Sequence, residues 1–516
     1  MRKCDVLIIG CGIAGASLAL ELSKKGLDIV ILSADETLTQ SNSSWAQGGI
    51  VYSGKGDSQQ LLAQDICDAG AGFCNLEAVE QLVRLGPKLV QKILVEEAEV
   101  PFDRGAQGGL SLAEEAAHST ARILHHKDQT GRAIMDALHA RMKKMSSIEL
   151  RKGATAIDLI TLSHHSKKIT DIYLPSTVVG AYVFNPQSSE VELIFAKETV
   201  LATGGLGEVF LHTTNPLEAR GDGIAMAYRA GARIMNMEYV QFHPTTLYIP
   251  GERRFLLSEA LRGEGGRLLD ARMQPFMHKY HEKGDLAPRD VVSRAIFSEM
   301  VQASADHLFL DMTGRDKKWL EDRFPTITRY CREKGFDLSS ESVPIVPAAH
   351  YSCGGVAVDL TGQSSIQRLR AIGEVSCTGL HGANRLASTS LLEGLVWAHT
   401  AASDILENWK DRLDYFPPVE EWQMSHEKVD CALIRQDWMT IKQTMWNYVG
   451  LVRDQNRLRR AIKMLKQLQW EIDSFYERAE LTCDLIGLRS GILTAILITQ
   501  GACRNKHSLG CHYRIS

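Results

Sequence analysis

Two histidines and two arginines of this 516-residue chain lie in short segments rich in Gly, Pro and Ala. They are His243 in Gln-Phe-His-Pro-Thr, His350 in Ala-Ala-His-Tyr-Ser, Arg289 in Ala-Pro-Arg-Asp, and Arg385 in Gly-Ala-Asn-Arg-Leu. Such segments are typical of turns held by rigid elements, where binding residues concentrate. Each residue alone is more often structural, but two guanidinium groups and two imidazoles together suit a small dicarboxylate. The sequence alone does not show that the four converge.

A cofactor site is indicated near the start of the chain, at Gly10-Cys11-Gly12-Ile13-Ala14-Gly15. This motif follows an apolar run, Cys4 to Ile9, and leads into Ala14 to Lys25, which has helical spacing, before a second apolar run, Leu27 to Leu32. A strand, a glycine-rich turn and a helix in this order predict a dinucleotide site. The first glycine permits the turn, the second lets a pyrophosphate approach the backbone, and the third allows close helix packing. Asp35 is a candidate for the ribose partner, although an ordinary turn aspartate is the favoured interpretation.

Composition and charge argue against several other classes of protein. The formal net charge is −4 without a long run of one sign, which disfavours nucleic-acid and membrane partners. The basic segment Arg453 to Lys466 fits a solvated helix face, because apolar residues recur within it at helical spacing. The 11 cysteines form no Cys-x-x-Cys pair, so we predict no metal site and a reducing compartment. The apolar run Ile492 to Ile498 is shorter than the roughly 18 residues of a membrane span. We therefore expect a soluble, cytoplasmic protein.

Strand and turn signals recur far along the chain and define the predicted domains. Glu198 to Gly207 indicates a buried strand running into glycine-rich backbone, Asp222 begins a helix, and Ala371 to Glu374 ends another strand. The predicted fold class is α/β, with a Rossmann-like dinucleotide-binding domain (residues 1–234 and 351–416), an inserted α+β capping domain (235–350) and a C-terminal helical bundle (417–516). Pro417-Pro418 marks the last boundary.

Several longer motifs occur together and in a fixed order. They are Ala46-Gln47-Gly48-Gly49, the two histidine segments, the Arg289 segment and His381-Gly-Ala-Asn-Arg385. On these motifs the chain resembles the L-aspartate oxidase family, within the succinate dehydrogenase/fumarate reductase flavoprotein superfamily. The resemblance runs from Cys4 nearly to the C-terminus and includes Met445 to Arg453 in the helical tail.

The resemblance implies that the cofactor is FAD, held non-covalently by an FAD-binding domain. Asn42 stands where the respiratory dehydrogenases carry the histidine that is bonded to FAD, and an amide cannot form that bond. Glu374 would accept hydrogen bonds from ribityl hydroxyls, and the helix beginning near Ser390 would stabilise negative charge on the flavin. The implied cofactor residues are Gly10, Cys11, Gly12, Ile13, Ala14, Gly15, Asn42, Ser43, Ser44, Trp45, Ala46, Gln47, Gly48, Gly49, Asp222, Glu374, Ser390 and Leu391.

The resemblance also implies roles for the dicarboxylate residues. His243, His350 and Arg385 match positions that hold carboxylate oxygens, and Ser258 replaces the family's usual threonine while keeping the hydroxyl. Arg289 matches the arginine that donates a proton in fumarate reduction. Because the pKa of an arginine is ordinarily above about 12, an electrostatic clamp is its simpler role and proton shuttling stays a hypothesis.

One acidic residue would distinguish an amino-acid substrate from succinate. Glu115 aligns with the glutamate that is proposed to meet the substrate ammonium group, so it would select by charge. Ala116-Ala117 replaces the family's Gly-Gly beside it, and the two added Cβ atoms can change the path of the loop. Glu114 could take its place, or both glutamates could be surface residues.

The function implied by the resemblance is FAD-dependent oxidation of L-aspartate to iminoaspartate. The electron acceptor would be O2, giving H2O2, or fumarate, and the product would feed quinolinate synthase at the start of NAD biosynthesis. One alternative is a soluble fumarate reductase or succinate dehydrogenase flavoprotein, which Asn42 and Glu115 disfavour. An alternative of another class is a flavin-binding RNA-modification or assembly factor, which the balanced charge and the full dicarboxylate set disfavour.

Overall fold

The structure, a computed structural model, describes residues 1–105, 107–115, 117–411, 414–425, 427–428 and 430–515. Its strands are β1 Arg2–Ile9, β2 Ile29–Ser33, β3 Ile50–Val51, β4 Leu112–Ala113, β5 Ile123–Leu124, β6 Ile148–Lys152, β7 Thr155–Thr161, β8 Val178–Asn185, β9 Glu190–Leu201, β10 Ile234–Met235, β11 Val240–Leu247, β12 Phe255–Leu256, β13 Arg267–Leu269, β14 Leu308–Asp311, β15 Val343–Ser352, β16 Gly355–Ala357, β17 Leu369–Ala371 and β18 Ser376–Cys377.

The helices lie between these strands and after them. They are α1 Ile13–Ser23, α2 Asn42–Trp45, α3 Gln59–Ala69, α4 Leu76–Leu89, α5 Thr130–Met142, α6 Leu162–His165, α7 Asp222–Arg229, α8 Glu259–Gly263, α9 Arg289–Ala303, α10 Lys317–Arg323, α11 Pro325–Glu333, α12 Ser390–Glu407, α13 Cys431–Val449, α14 Gln455–Tyr476 and α15 Cys483–Arg504. A π-helical segment, Val90–Glu97, continues α4.

The main sheet has a parallel half and an antiparallel half. Among the described residues its strand order is β6-β2-β1-β9-β8-β7, and β17 also pairs with β9. The strands β6, β2, β1, β9 and β17 run parallel, whereas β7, β8 and β9 pair antiparallel. The central parallel strands β1 and β2 are largely apolar and buried, as expected where helices cover both faces of a sheet, whereas the edge strand β6 alternates polar and apolar residues. This arrangement confirms the predicted α/β fold class and the βαβ unit at the N-terminus, although α1 begins at Ile13 and ends at Ser23.

The turn after β1 can be made only by glycine. Gly10 has a φ of +112°, and a Cβ atom on it would lie 2.1 Å from the carbonyl oxygen of Ala202. A Cβ atom on Gly15 would lie 2.0 Å from the carbonyl oxygen of Gly10, so the third glycine of the motif lets α1 pack on the turn. The carboxyl end of β1, the turn and the carboxyl end of β9 therefore meet at one edge of the sheet, where ligands bind in open α/β folds.

A second sheet carries the two histidine segments. Its order is β12-β11-β15-β14-β13 among the described residues, and all of its pairs are antiparallel. His243 on β11 is in register with Ala348 on β15, so two segments about a hundred residues apart become neighbours. The apolar core of this second sheet packs against α9. This sheet and α9 lie within residues 235–350 except for the end of β15, which reaches Ser352, and the domain boundaries themselves stay a prediction.

The C-terminal helices α13, α14 and α15 pack together as a bundle against the main sheet. By length and composition α15 could cross a membrane, but 83% of its most apolar window is buried inside the protein, as in a core helix. The run Ile492 to Ile498 is thus the middle of a longer apolar helix than the sequence predicted. After α15 the chain returns to the loop before α12, where the Cys511 N–H donates to the Ala383 carbonyl at 2.9 Å. Arg453 Nη1 and His512 Nδ1 lie 2.6 Å apart in the same region.

Candidate active site

One elongated cavity of about 750 Å³ runs from the glycine turn of β1 to the second sheet. Every predicted cofactor residue lines it except Gly15, which supports the turn from behind. The predicted catalytic and substrate residues line the same cavity, namely Glu115, His243, Ser258, Arg289, His350 and Arg385. The fold therefore brings together two sets of residues that the sequence keeps far apart.

The glycine-turn end of the cavity is built for an anionic group. α1 begins after Gly12, which gives the helix no side-chain cap. The first N–H groups and the positive end of the helix dipole therefore face this part of the cavity, as in pyrophosphate sites. Ser43 Oγ accepts a hydrogen bond from the Ile13 N–H at 3.1 Å, which holds the second cofactor segment, residues 42–49, against the turn.

Polar atoms along the cavity wall are left for a ligand with many hydroxyls. Asp222 Oδ2 accepts hydrogen bonds from Arg220, whereas Asp222 Oδ1 is buried and has no partner among the described residues. The Thr203 hydroxyl nearby is likewise buried without a described partner. Buried polar atoms are nearly always hydrogen-bonded in complete structures. These atoms and the glycine turn fit the ribityl and pyrophosphate groups of FAD.

Glu374 lies in a short 3₁₀ turn after β17, where it is half-buried and lines the cavity. Its Oε2 accepts from Asn42 Nδ2 at 2.9 Å and its Oε1 from the Ser352 N–H at 3.1 Å. Burial raises the pKa of Glu374 to about 7, and the hydrogen bonds from Asn42 and Ser352 only partly oppose that shift. Asn42 is thus an amide that orients a carboxylate in this wall.

Asp35 also lines the cavity, but its carboxylate accepts hydrogen bonds from its own loop. The two oxygens accept hydrogen bonds from the backbone N–H groups of Thr37, Thr39 and Gln40. This geometry matches the turn aspartate that the sequence favoured.

His243 and His350 face each other on adjacent strands, with ring centroids 5.3 Å apart. His243 Nδ1 lies 3.0 Å from the Thr245 carbonyl oxygen, and His350 Nδ1 lies 2.8 Å from the Thr214 hydroxyl. Burial lowers both histidine pKa values well below the usual value, and the neighbouring arginines lower them further. Two neutral imidazoles therefore line the cavity, with the Nδ1 atoms committed to the protein and the Nε2 atoms left for a ligand.

Arg289 is the first residue of α9, where the preceding Pro288 fixes the direction of entry. Its Nε donates to Glu259 Oε2 at 2.6 Å, and its Nη1 donates to Gln241 Oε1 at 3.2 Å. Burial opposes ionisation of Glu259, yet Arg289 and Arg262 keep its pKa below the usual value. Arg289 therefore enters the site as one half of a buried ion pair.

Arg385 lies in the loop before α12 and has no such counterion. Its Nη1 donates to Ser390 Oγ at 2.8 Å and its Nη2 to Gln241 Oε1 at 3.2 Å. No carboxylate of a described residue forms an ion pair with it, and its Nε is buried without a described partner. Burial lowers the pKa of Arg385, and the charge of Arg289 lowers it further. This guanidinium is a buried cation with its charge uncompensated.

Glu115 also lines this cavity. Ser388 Oγ donates to Glu115 Oε2 at 2.6 Å, while Glu114 is exposed and does not line the cavity. Ala116 lies outside the described residues. Ala117 has a φ of +66°, a left-handed conformation that glycine adopts more easily, so the loop follows a glycine-like path without glycine at that position.

Ser258 also lines the cavity, and its hydroxyl caps α8. The Oγ atom accepts from the Ala260 N–H at 3.3 Å, and the residue is buried. Its role in binding substrate stays a prediction.

The sequence did not assign roles to Gln241, Glu259 and Tyr351, although all three stand inside motifs that it singled out. Gln241 Oε1 accepts from both Arg289 and Arg385, and its Nε2 donates to Asn384 Oδ1 at 2.7 Å. The available signal was adjacency, because each of these residues lies within two positions of a predicted site residue. Their partners come from other elements, so only the fold reveals what they do.

Comparisons with known proteins agree with the FAD site that the geometry indicates. A family model described as FAD binding domain matches residues 5–391. The chain is 42% identical to an L-aspartate oxidase of Acinetobacter baylyi over 514 residues, which cover 99% of this chain and 93% of that protein. It is also 42% identical to an L-aspartate oxidase of Pseudomonas aeruginosa, with coverage of 99% and 95%.

Among solved structures, a quinol-fumarate reductase with menaquinol molecules superposes with a TM-score of 0.88 at 26% identity, covering 100% of this chain and 92% of that one. The FAD cofactor predicted from the sequence is confirmed, as is the assignment to the oxidoreductases. The RNA-modification alternative is thereby set aside. A full-length match to the oxidases and a shared fold with the reductase show that this FAD-binding oxidoreductase belongs to the L-aspartate oxidase family, within the succinate dehydrogenase/fumarate reductase flavoprotein superfamily.

Proposed function

We propose that this chain oxidises L-aspartate to iminoaspartate with non-covalently bound FAD, and that O2 or fumarate is the electron acceptor. The observation that carries the proposal is the convergence of Arg289, Arg385, His243, His350 and Glu115 on one cavity that continues from the glycine turn. Two cations, two neutral imidazoles and one carboxylate complement a substrate with two carboxylates and one ammonium group.

The bound flavin would supply a hydride acceptor for the substrate Cα. The chain's own residues bind and orient the substrate. Arg385 and the histidine Nε2 atoms hold carboxylate oxygens, and Arg289 fixes the position of the same groups as a clamp. The substrate nitrogen gives up a proton as Cα gives up a hydride, so the product is the imine. Arg289 as a proton shuttle stays a hypothesis.

Glu115 gives the amino group its recognition. A carboxylate 2.6 Å from Ser388 Oγ at the wall of the cavity attracts an ammonium group and offers nothing to the methylene of succinate. Asn42 supports the non-covalent mode, since its amide is committed to Glu374 at 2.9 Å and cannot bond to the flavin.

The resemblance to the oxidases supports a cellular compartment and a metabolic role for the reaction. We place the protein in the cytoplasm, where iminoaspartate would be taken up by quinolinate synthase at the first step of NAD biosynthesis. H2O2 is the second product with O2 as acceptor, and succinate is the second product with fumarate.

The test is H2O2 production by the FAD-loaded enzyme with L-aspartate, with succinate and L-glutamate in parallel. We expect turnover with L-aspartate and none with succinate or L-glutamate. Glu115→Gln should raise the KM for L-aspartate about tenfold or more, a typical effect for one charge-assisted contact, and leave the Kd of succinate unchanged. The matched control is Glu114→Gln, at the exposed neighbouring residue, which should change neither the KM for L-aspartate nor the Kd of succinate. Absence of turnover on L-aspartate, with fumarate still oxidising the reduced flavin, would instead establish a soluble fumarate reductase.

A further inference from the structure

The aromatic ring of Tyr351 lies against the guanidinium of Arg385. The guanidinium carbon is 4.4 Å from the ring centroid, and both residues are buried, with relative exposures of 6% and 5%. The face of an aromatic ring carries partial negative charge, so it stabilises a desolvated cation without neutralising it. Arg385 therefore keeps its full charge for a ligand while its position is fixed.

A buried hydrogen-bond network locks the ring in that orientation. The Tyr351 hydroxyl donates to Glu393 Oε2 at 2.8 Å, and the same carboxylate accepts from His381 Nε2 at 3.0 Å and Thr378 Oγ1 at 2.7 Å. Burial opposes ionisation of Glu393, yet His381 and these hydrogen bonds keep its pKa below the usual value. Burial and the charge of Glu393 raise the pKa of Tyr351, so its phenol stays neutral.

The network joins three elements at the point where the substrate arginine is presented. Tyr351 lies near the end of β15, next to His350, and Glu393 lies in the first turn of α12. His381 and Thr378 belong to the loop that leads to Arg385. Glu393 thus orients the ring on which Arg385 lies, while Arg385 itself forms no ion pair with a carboxylate of the described residues. Arg289 differs, because Glu259 pairs with it directly at 2.6 Å.

We propose that Tyr351 is a positioning residue that sets the enzyme's affinity for the second carboxylate of its substrate, by holding Arg385 on its ring as an uncompensated cation. The inference rests on the proposed function, since it assigns the carboxylate-binding power of that site. A direct carboxylate partner would hold Arg385 equally well but would compete with the ligand. An aromatic ring holds the guanidinium without that competition.

The first experiment is a titration of the FAD-loaded enzyme with succinate, followed by the change in flavin absorbance. Tyr351→Leu should raise the Kd of succinate and the KM for L-aspartate by about tenfold or more, the scale of a desolvated cation–π contact, and change kcat by less than about threefold. Tyr239→Leu is the matched control, because Tyr239 is 2% exposed in the same apolar cluster and does not line the cavity. An equal rise of Kd in both variants would reduce the role of Tyr351 to packing and overturn the proposal.

A second pair of variants keeps the ring shape and changes only its electrostatics. Tyr351→Phe should bind succinate within about threefold of the wild type, because the face of the ring is retained. Replacement of Tyr351 by pentafluorophenylalanine, whose quadrupole is inverted, should weaken binding several-fold relative to Tyr351→Phe. Equal Kd values for these two rings contradict the proposal even where Tyr351→Leu loses FAD. A wild-type enzyme that binds no dicarboxylate would overturn the proposed function together with this inference.

Discussion

Two buried arginines face the same cavity, and the protein treats their charges in opposite ways. At the start of α9, Arg289 is paired with Glu259 at 2.6 Å, and Arg262 lies 3.5 Å from the same carboxylate. On the α12 side, Arg385 rests on the Tyr351 ring and meets no carboxylate among the described residues. Gln241 Oε1 accepts from both and fixes their spacing. The charge of Arg289 is therefore neutralised within the protein, whereas the charge of Arg385 is left for the substrate to neutralise.

Removal of each arginine should therefore have a different effect on the free protein, and Arg289→Leu should have the largest effects. It removes the hydrogen-bonded cation of the buried Glu259 carboxylate and leaves Arg262 at 3.5 Å, which should lower the free energy of unfolding by about 3 kcal/mol. It should also reduce kcat by about 10³-fold, the scale of a charged group acting at the reacting centre. Urea denaturation and turnover assays measure the two losses, with the exposed Arg267→Leu as control. Arg289→Leu combined with Glu259→Gln should recover stability but not turnover, and loss of both would break the comparison.

Arg385→Leu should weaken succinate binding by about 100-fold, because a charge-assisted bidentate contact is lost. The same change removes a buried cation without a direct counterion, so the apoprotein should be as stable as the wild type or up to about 1 kcal/mol more stable. Equilibrium unfolding of the apoprotein and a succinate titration of the FAD-loaded enzyme check the two effects. Destabilisation as large as that of Arg289→Leu would show that Arg385 has a counterion after all.

The same contrast extends to the carboxylates of the cavity, since Glu259 has cationic partners, whereas Glu374 accepts hydrogen bonds, within the described part of the chain, only from Asn42 and a backbone N–H. Burial raises the pKa of Glu374 from 4.5 to about 7, so the folded apoprotein binds its proton more tightly than the unfolded chain does. The stability from this group is complete below pH 4.5 and is lost as pH rises to about 7, a change of about 3 kcal/mol. Unfolding of the apoprotein at pH 5 and pH 8 should show this loss in the wild type and not in Glu374→Gln. Parallel pH profiles would contradict it.

The smallest effect concerns the loop that carries the third charge of the site, Glu115. Ala117 adopts a φ of +66°, so Ala117→Gly should raise the free energy of unfolding by about 1 kcal/mol. Ala121→Gly is the control in the same loop, and it should lower stability because Ala121 does not have a positive φ. Thermal unfolding of the two variants distinguishes relief of strain from a general effect of glycine.

Local patterns predicted the parts of the molecule that depend on sequence neighbours. The glycine turn at Gly10, the strand before it and the helix after it follow from spacing alone, because each is set within about fifteen residues. The motif residues His243, His350, Arg289 and Arg385 also line one cavity, as the dicarboxylate interpretation required.

Long-range pairings could not be predicted in the same way. Gln241 was visible in its motif, but its two arginine partners and Asn384 lie 48, 144 and 143 residues away. The parallel pairing of β17 with β9 joins Leu369 to Thr199, which are far apart in the sequence, and the left-handed Ala117 contradicts the local preference of alanine. Which cation is neutralised and which is not is a property of the fold, since it depends on which distant carboxylate arrives beside each guanidinium.

The return of the chain after α15 to the loop that presents Arg385 has a consequence for biosynthesis. The Cys511 N–H holds the Ala383 carbonyl, and the Cys511 thiol donates to Asn384 Oδ1 at 3.2 Å, two residues and one residue before Arg385. During translation the glycine turn and its sheet can assemble once β17 has emerged. The loop that presents Arg385 gains its last anchors only after residue 511 has left the ribosome. A nascent chain can therefore form its cofactor cradle well before its substrate site is anchored, and catalytic competence should follow cofactor binding in time.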